Sequence, residues 1–123
     1  MELIFGGAYQ GKLDYVKDNY EYRRICDCSD GREPDFDADV IYGIEGFVME
    51  CAKAGREARD FFKEHEALLG DKILVMTDTS QGVVPIDKNV RAFREMNGRL
   101  MLYLAEKAEH VTRVFCGIGK RLK

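Results

Sequence analysis

The sequence lacks several features that would each point to a particular class of protein. Its formal net charge is only −3 and its basic cluster near the C-terminus is short, so the phosphate backbone of nucleic acid is not an expected partner. No apolar run approaches the length that a bilayer requires. Glu2 stands where a signal peptide would carry positive charge. We therefore expect a cytoplasmic protein that binds neither nucleic acid nor a membrane.

Cysteine and histidine are also sparse and poorly spaced for metal binding or nucleophilic catalysis. The four cysteines include no paired C-x-x-C motif, and Cys26 and Cys28 form only C-x-C, so we expect these two to be buried as small apolar residues. The only histidines are His65 and His110. Neither follows the carboxyl end of a predicted strand, so we expect both to be structural.

A sequence of 123 residues has the length of a single domain, which we expect to span residues 1–123. Along it, short apolar runs alternate with longer segments of helical periodicity. This pattern predicts strands at residues 2–5, 24–28, 40–44, 72–76 and 111–115. It predicts helices at about residues 11–19, 46–69 and 90–108. This alternation predicts an α/β fold with a mostly parallel sheet of about five strands.

The first predicted strand runs into a glycine-rich loop that fits G-x-x-x-x-G-K. The residues expected to bind phosphate are Gly6, Gly7, Ala8, Tyr9, Gln10, Gly11, Lys12 and Leu13. A strand, this loop and then a helix is the context of a phosphate-binding loop, in which backbone N–H groups, a lysine and a helix N-terminus hold the anion. The alternative is a glycine-rich turn that carries a lysine by chance. We expect Lys12 to act in both binding and catalysis.

The residue after the lysine weakens the prediction of metal-assisted chemistry. Leu13 stands where a Ser or Thr hydroxyl normally ligates Mg²⁺, so nucleotide binding is less affected than phosphoryl transfer. Asp78, at the end of the fourth strand, is a candidate catalytic residue and metal ligand, or else an ordinary Asx-turn residue. Gly43 stands where a second acid is expected, and Glu45 is predicted to share its face and to replace it as a metal ligand. A solvated helix-capping role for Glu45 is equally consistent with its position.

Both ends of the chain carry motifs of one known family. In the C-terminal half the matching residues are Gly82-Val83-Val84-Pro85, Arg91, Phe93, Arg94, Gly98 and Gly117-Ile118-Gly119. They resemble the bifunctional adenosylcobinamide kinase/adenosylcobinamide-phosphate guanylyltransferase family of cobalamin biosynthesis. Residues 6–12 resemble the same family's N-terminal loop, so the resemblance covers residues 2–19 and about 71–123.

The resemblance implies a P-loop NTPase-like three-layer sandwich, a homotrimer, GTP or ATP at the loop and a corrinoid such as adenosylcobinamide near the subunit junctions. The chain resembles a shortened, divergent member, because the segment that carries the family's guanylylated histidine is largely missing. No histidine lies between Asn19 and Glu45. Kinase activity is therefore expected ahead of nucleotidyltransferase activity. Gly98, inside a predicted helix, is expected to allow close backbone packing.

Two other functions stay open at this point. In the alternative interpretation, the chain is a catalytically inactive binding or assembly protein with a degenerate phosphate loop. Leu13, Gly43 and the absent histidine favour this interpretation. A scaffold without any ligand is the third interpretation. It would be supported if Tyr9 and Leu13 filled the cavity of the loop.

Overall fold

The computed structural model describes residues 1–80 and 87–123. Its strands are β1 (Glu2–Gly6), β2 (Ile25–Asp27), β3 (Val40–Tyr42), β4 (Ile73–Thr77), β5 (His110–Phe115) and β6 (Ile118–Arg121). Its helices are α1 (Lys12–Asn19), α2 (Ile44–Ala54), α3 (Ala58–Glu64) and α4 (Lys88–Lys107), with a 3₁₀ helix at Glu66–Leu68. The predicted motif Gly82–Pro85 lies outside the described residues.

The described strands form one sheet in the order β2-β3-β4-β1-β5-β6. Every pair is parallel except β5 with β6. The first strand of the chain is therefore central, between β4 and β5, and it is buried on both sides as its near-continuous apolar sequence predicts. The sheet has six strands rather than about five, because a hairpin adds β6 at the edge.

Helices cover both faces of this sheet, as the fold class predicts. On one face, Val16 of α1 packs with Ile4, Val75 and Val114. On the other, residues of α2, α3 and α4 form the larger core with Leu3 and Leu74. The α/β, three-layer arrangement expected from the sequence is thus confirmed.

The region between β3 and β4 differs from the sequence prediction in two ways. The third strand ends at Tyr42, and Gly43, in the left-handed region at φ 68°, begins α2 at once. The predicted single helix over residues 46–69 is interrupted at Gly55, which ends α2 with φ 69°. Apolar periodicity continues across this break because Cys51 and Ala58 both face the core, so the pattern did not reveal it.

The prediction for Gly98 in α4 is wrong. A Cβ built at this position meets no atom within 4 Å among the described residues, so no neighbouring backbone requires a glycine there. As for membranes, none of the helices in the described ranges is long and apolar enough to cross a bilayer.

Candidate phosphate-binding site

The glycine loop joins the carboxyl end of β1 to the first turn of α1, as predicted. Gly11 is the N-cap residue of α1 and adopts a left-handed conformation with φ 83°, and no described side chain caps this helix end. The first backbone N–H groups of an uncapped helix carry partial positive charge and favour anions. The local geometry is therefore that of a strand–loop–helix junction whose helix N-terminus favours an anion.

Lys12 lies across this loop and does not extend into solvent. Its side chain is only 6% exposed, and its Nζ donates a hydrogen bond of 2.7 Å to the Gly7 carbonyl. Burial lowers the pKa of Lys12, and the nearby charge of Glu45 raises it in part. The ammonium group is thus held at the loop by a neutral acceptor, which an incoming phosphate oxygen can replace.

Tyr9 and Leu13 do not combine to fill the loop. Tyr9 has φ 58° and its side chain is fully exposed, whereas Leu13 is half-buried in the first turn of α1. Occupation of the loop's cavity by both side chains would have supported the ligand-free scaffold. Because Tyr9 is exposed, the structure does not provide that support.

The loop is anchored by the β5–β6 hairpin, which the sequence did not reveal. Gln10 accepts two hydrogen bonds of 2.8 Å, one from Gly117 N to its carbonyl and one from Cys116 N to its Oε1. Cys116 and Gly117 have φ 50° and 75°, the conformation of a two-residue type I′ turn. Gly6 is equally constrained, since a Cβ there would lie 2.3 Å from the Val114 carbonyl oxygen.

The two candidate acids both lie at the carboxyl end of β4, but each already has a structural contact. The Asp78 N–H donates to the Gly6 carbonyl at 2.8 Å, and Asp78 Oδ1 accepts from Ser80 N at 2.9 Å and Ser80 Oγ at 2.6 Å. This is an Asx turn. Glu45 Oε1 accepts from Thr77 N at 2.8 Å.

Glu45 reaches this position from a helix and not from a strand. It lies in the first turn of α2, so the prediction that strand alternation places it on the same face as Gly43 is wrong. In the described ranges, no group of three or more His, Cys, Asp or Glu side chains is arranged to hold a metal ion. Metal binding by Asp78 and Glu45 remains a prediction.

Neither histidine lies at the phosphate loop. His110 pairs with Glu2 at 2.8 Å, at the amino end of β1, and the loop begins at the opposite end of that strand. His65 stacks on Phe36 with ring centroids 5.0 Å apart and shares a 2.7 Å hydrogen bond with the Phe61 carbonyl. Both contacts are structural.

Cys26 and Cys28 are buried with their sulfurs 3.7 Å apart. Burial raises the pKa of the Cys28 thiol, so it is a poor nucleophile.

Asn97 is a functional candidate that the sequence interpretation missed. It is 1% exposed, and its Nδ2 donates to the Thr77 carbonyl at 3.0 Å and to Thr79 Oγ1 at 3.2 Å. These bonds attach α4 to the segment that carries Asp78. An asparagine inside an otherwise apolar helical stripe was the available signal.

Together, the parallel sheet, its two helical layers and the glycine loop define an α/β protein of the P-loop type. A family model described as cobinamide kinase / cobinamide phosphate guanyltransferase matches residues 39–122, and the chain belongs to this family. No curated protein matches the chain. The matched segment includes Glu45 and Asp78 but not the glycine loop, so the case for the loop depends on its own geometry.

Proposed function

We propose that this chain binds the phosphates of GTP or ATP at residues 6–12 and transfers the terminal phosphoryl group to an alcohol. The observation that supports the proposal most strongly is the buried Lys12 ammonium group beside the uncapped N-terminus of α1. Membership in the family adds cobalamin biosynthesis as the context and a corrinoid such as adenosylcobinamide as the acceptor.

In this proposal the loop backbone, Lys12 and Gly11 have distinct roles. Backbone N–H groups of the loop and of the first turn of α1 would hold the phosphate oxygens. Lys12 would exchange its bond to the Gly7 carbonyl for one to a phosphate oxygen, which is a charge-assisted and stronger bond. The left-handed Gly11 orients α1 toward that phosphate.

The acids at the end of β4 would complete the reaction. The acceptor oxygen forms a bond to the terminal phosphorus, the bond from that phosphorus to the bridging oxygen breaks, and the nucleoside diphosphate leaves. Asp78 takes the proton of the hydroxyl group. Asp78 and Glu45 would hold Mg²⁺ through carboxylate oxygens, the hard ligands it prefers, whereas Leu13 offers no ligand. The bound ion would supply positive charge to the phosphates.

Guanylyl transfer is not part of the proposal. The chemistry needs a nucleophilic side chain, and both histidines are engaged elsewhere in the structure. Phosphoryl transfer needs no covalent protein intermediate. The resemblance to the kinase/guanylyltransferase family also supports a homotrimer. Light scattering would then give the mass of three 14.1 kDa chains.

Calorimetric titration with GTP and with ATP, with and without Mg²⁺, tests the phosphate site. We expect micromolar binding, about −8 kcal/mol, and at least about a tenfold loss in Lys12→Ala because the charge-assisted bond is removed. Lys17→Ala is the matched control, since Lys17 is an exposed lysine of the same helix. The proposal is contradicted if neither nucleotide gives a heat of binding. It is also contradicted if Lys12→Ala and Lys17→Ala lose nucleotide affinity equally.

A non-catalytic binding or assembly protein is the second candidate, favoured by Leu13, which offers no oxygen to Mg²⁺. It predicts nucleotide binding without phosphorylation of adenosylcobinamide. Asp78→Asn and Glu45→Gln separate the two candidates further. If the site is catalytic, Mg²⁺ raises the nucleotide affinity of the wild type but not that of these variants. If the loop is degenerate, Mg²⁺ does not raise the nucleotide affinity even of the wild type.

A further inference from the structure

A cavity of about 530 Å³ lies beside the candidate phosphate site, between α4 and strands β1 and β5. Its size is in the range of small-molecule sites. Apolar side chains form most of the described wall: Phe5, Met101, Leu102, Val111 and Leu122. Leu102 is 74% exposed and Leu122 is 55% exposed, so much apolar surface here faces solvent.

One end of the cavity is polar and adjoins the phosphate loop. Asp78, Thr79 and Ser80 line this end, and the Asp78 N–H donates to Gly6, the first residue of the loop. The Asx turn uses Asp78 Oδ1, and among the described contacts Oδ2 accepts no hydrogen bond. Asn97 holds this segment against α4, so the polar end has a defined position.

We propose that this cavity binds the apolar portion of the phosphoryl acceptor and places the acceptor's hydroxyl group at Asp78. The inference rests on the proposed function for the chemistry, but the cavity can be tested without nucleotide. The occupant has a defined class: an alcohol carried on an apolar body, with a hydrogen-bond donor for the Asp78 carboxylate. Continuity of the cavity with residues that contact Gly6 argues for this occupant.

The absence of tryptophan from the chain allows direct fluorescence titration with an indole probe. Tryptophol carries a primary alcohol on an apolar ring, and 3-ethylindole is the matched probe without the hydroxyl group. We expect tryptophol to bind the wild type several-fold more tightly than 3-ethylindole does. Asp78→Asn keeps an oxygen for the Asx turn but replaces the charged acceptor by a neutral amide, so it should reduce this difference because the charge-assisted bond is lost.

Filling the cavity provides the second test. Gly98 and Ala105 line it, and open space surrounds a Cβ built at Gly98. Gly98→Leu and Ala105→Phe should each weaken binding of both probes by about tenfold or more, because they occupy the volume that the ring needs. Gly98→Ala is the control, since it changes the helix in the same direction but adds only a methyl group.

The outcomes separate this inference from the nucleotide site. Probe binding that the filled variants lose supports the cavity even where GTP and ATP fail to bind. Equal probe affinity in the wild type and the filled variants overturns it, as does equal affinity for the two probes. A Gly98→Leu variant whose mass by light scattering is smaller than that of the wild type also overturns it, because the cavity would then be a contact between copies.

Discussion

Two strand-to-helix junctions at the same edge of the sheet use the same device in different surroundings. Gly11 before α1 and Gly43 before α2 are both left-handed N-cap residues, and no described side chain caps either helix. Five residues separate β1 from α1, whereas Gly43 alone separates β3 from α2. Only the first junction therefore has loop N–H groups and a lysine that can bind an anion.

The neighbours of the two glycines differ as well. A Cβ at Gly43 would lie 2.3 Å from Ser29 Oγ and 2.9 Å from Ser29 N. A Cβ at Gly11 would lie 3.2 Å from the Gly117 Cα. The second junction is packed against the β2–β3 connection, and the first contacts the hairpin turn at a longer distance. The same left-handed glycine thus serves packing in one place and a candidate binding site in the other.

The largest effect should come from breaking the tighter junction. Gly43→Ala should lower the free energy of unfolding by about 3 kcal/mol, through left-handed strain of about 1–2 kcal/mol and overpacking of similar size. Gly11→Ala should cost only about 1–2 kcal/mol, mainly strain. Urea denaturation of the two variants checks the difference. Equal costs would mean that the contacts of Gly43 contribute nothing beyond its conformation.

An intermediate effect concerns the lysine that distinguishes the first junction. Lys12→Met removes a buried ammonium group and should stabilise the fold at neutral pH by less than about 2 kcal/mol. The pKa of Lys12 in the folded state is below its ordinary value of 10.5. At pH values between these two pKa values, the unfolded chain therefore holds more protons than the folded protein does. The wild type then gains stability, and the advantage of Lys12→Met should shrink.

Urea denaturation of the wild type and Lys12→Met between neutral pH and about pH 10 measures this change. Lys17→Met, at an exposed position of the same helix, gives the pH dependence expected without burial. A constant difference between the wild type and Lys12→Met would contradict the lowered pKa.

The smallest effect sharpens the comparison with a glycine that has no such requirement. Gly98 lies within α4, with open space around a Cβ. Gly98→Ala should therefore raise the free energy of unfolding by about 1 kcal/mol, the difference in helix propensity. Thermal unfolding measures it. A loss of stability would show that this glycine, like Gly43, is needed for packing.

Local signals were enough to predict the central features of the fold. The apolar runs of β1 and β4 and the glycines after β1 indicated a parallel sheet with a loop at its carboxyl edge, and the structure has both. Lys12 was predicted at the loop, but its bond to Gly7 was not, because the conformation of a flexible side chain depends on its tertiary surroundings.

The features that the sequence did not predict depend on distant partners. Strand β6 has three exposed residues and a glycine, so no apolar alternation marks it, and only its pairing with β5 defines it. The contact of Gln10 with Cys116 joins residues 106 positions apart. Glu45 was placed on a strand because the conformation of Gly43 was not apparent from the apolar run before it.

The hydrogen bonds between Gln10 and the hairpin turn have a consequence for the order in which the molecule is made. Translation makes Gln10 of the glycine loop 106 residues before Cys116, which together with Gly117 holds the loop in place. Strand β1 likewise cannot pair on its two sides until β4 and β5 have been synthesised. A nascent chain on the ribosome therefore carries the loop sequence long before it has the loop's shape, and the candidate site is assembled only after β5 and the hairpin turn have been made.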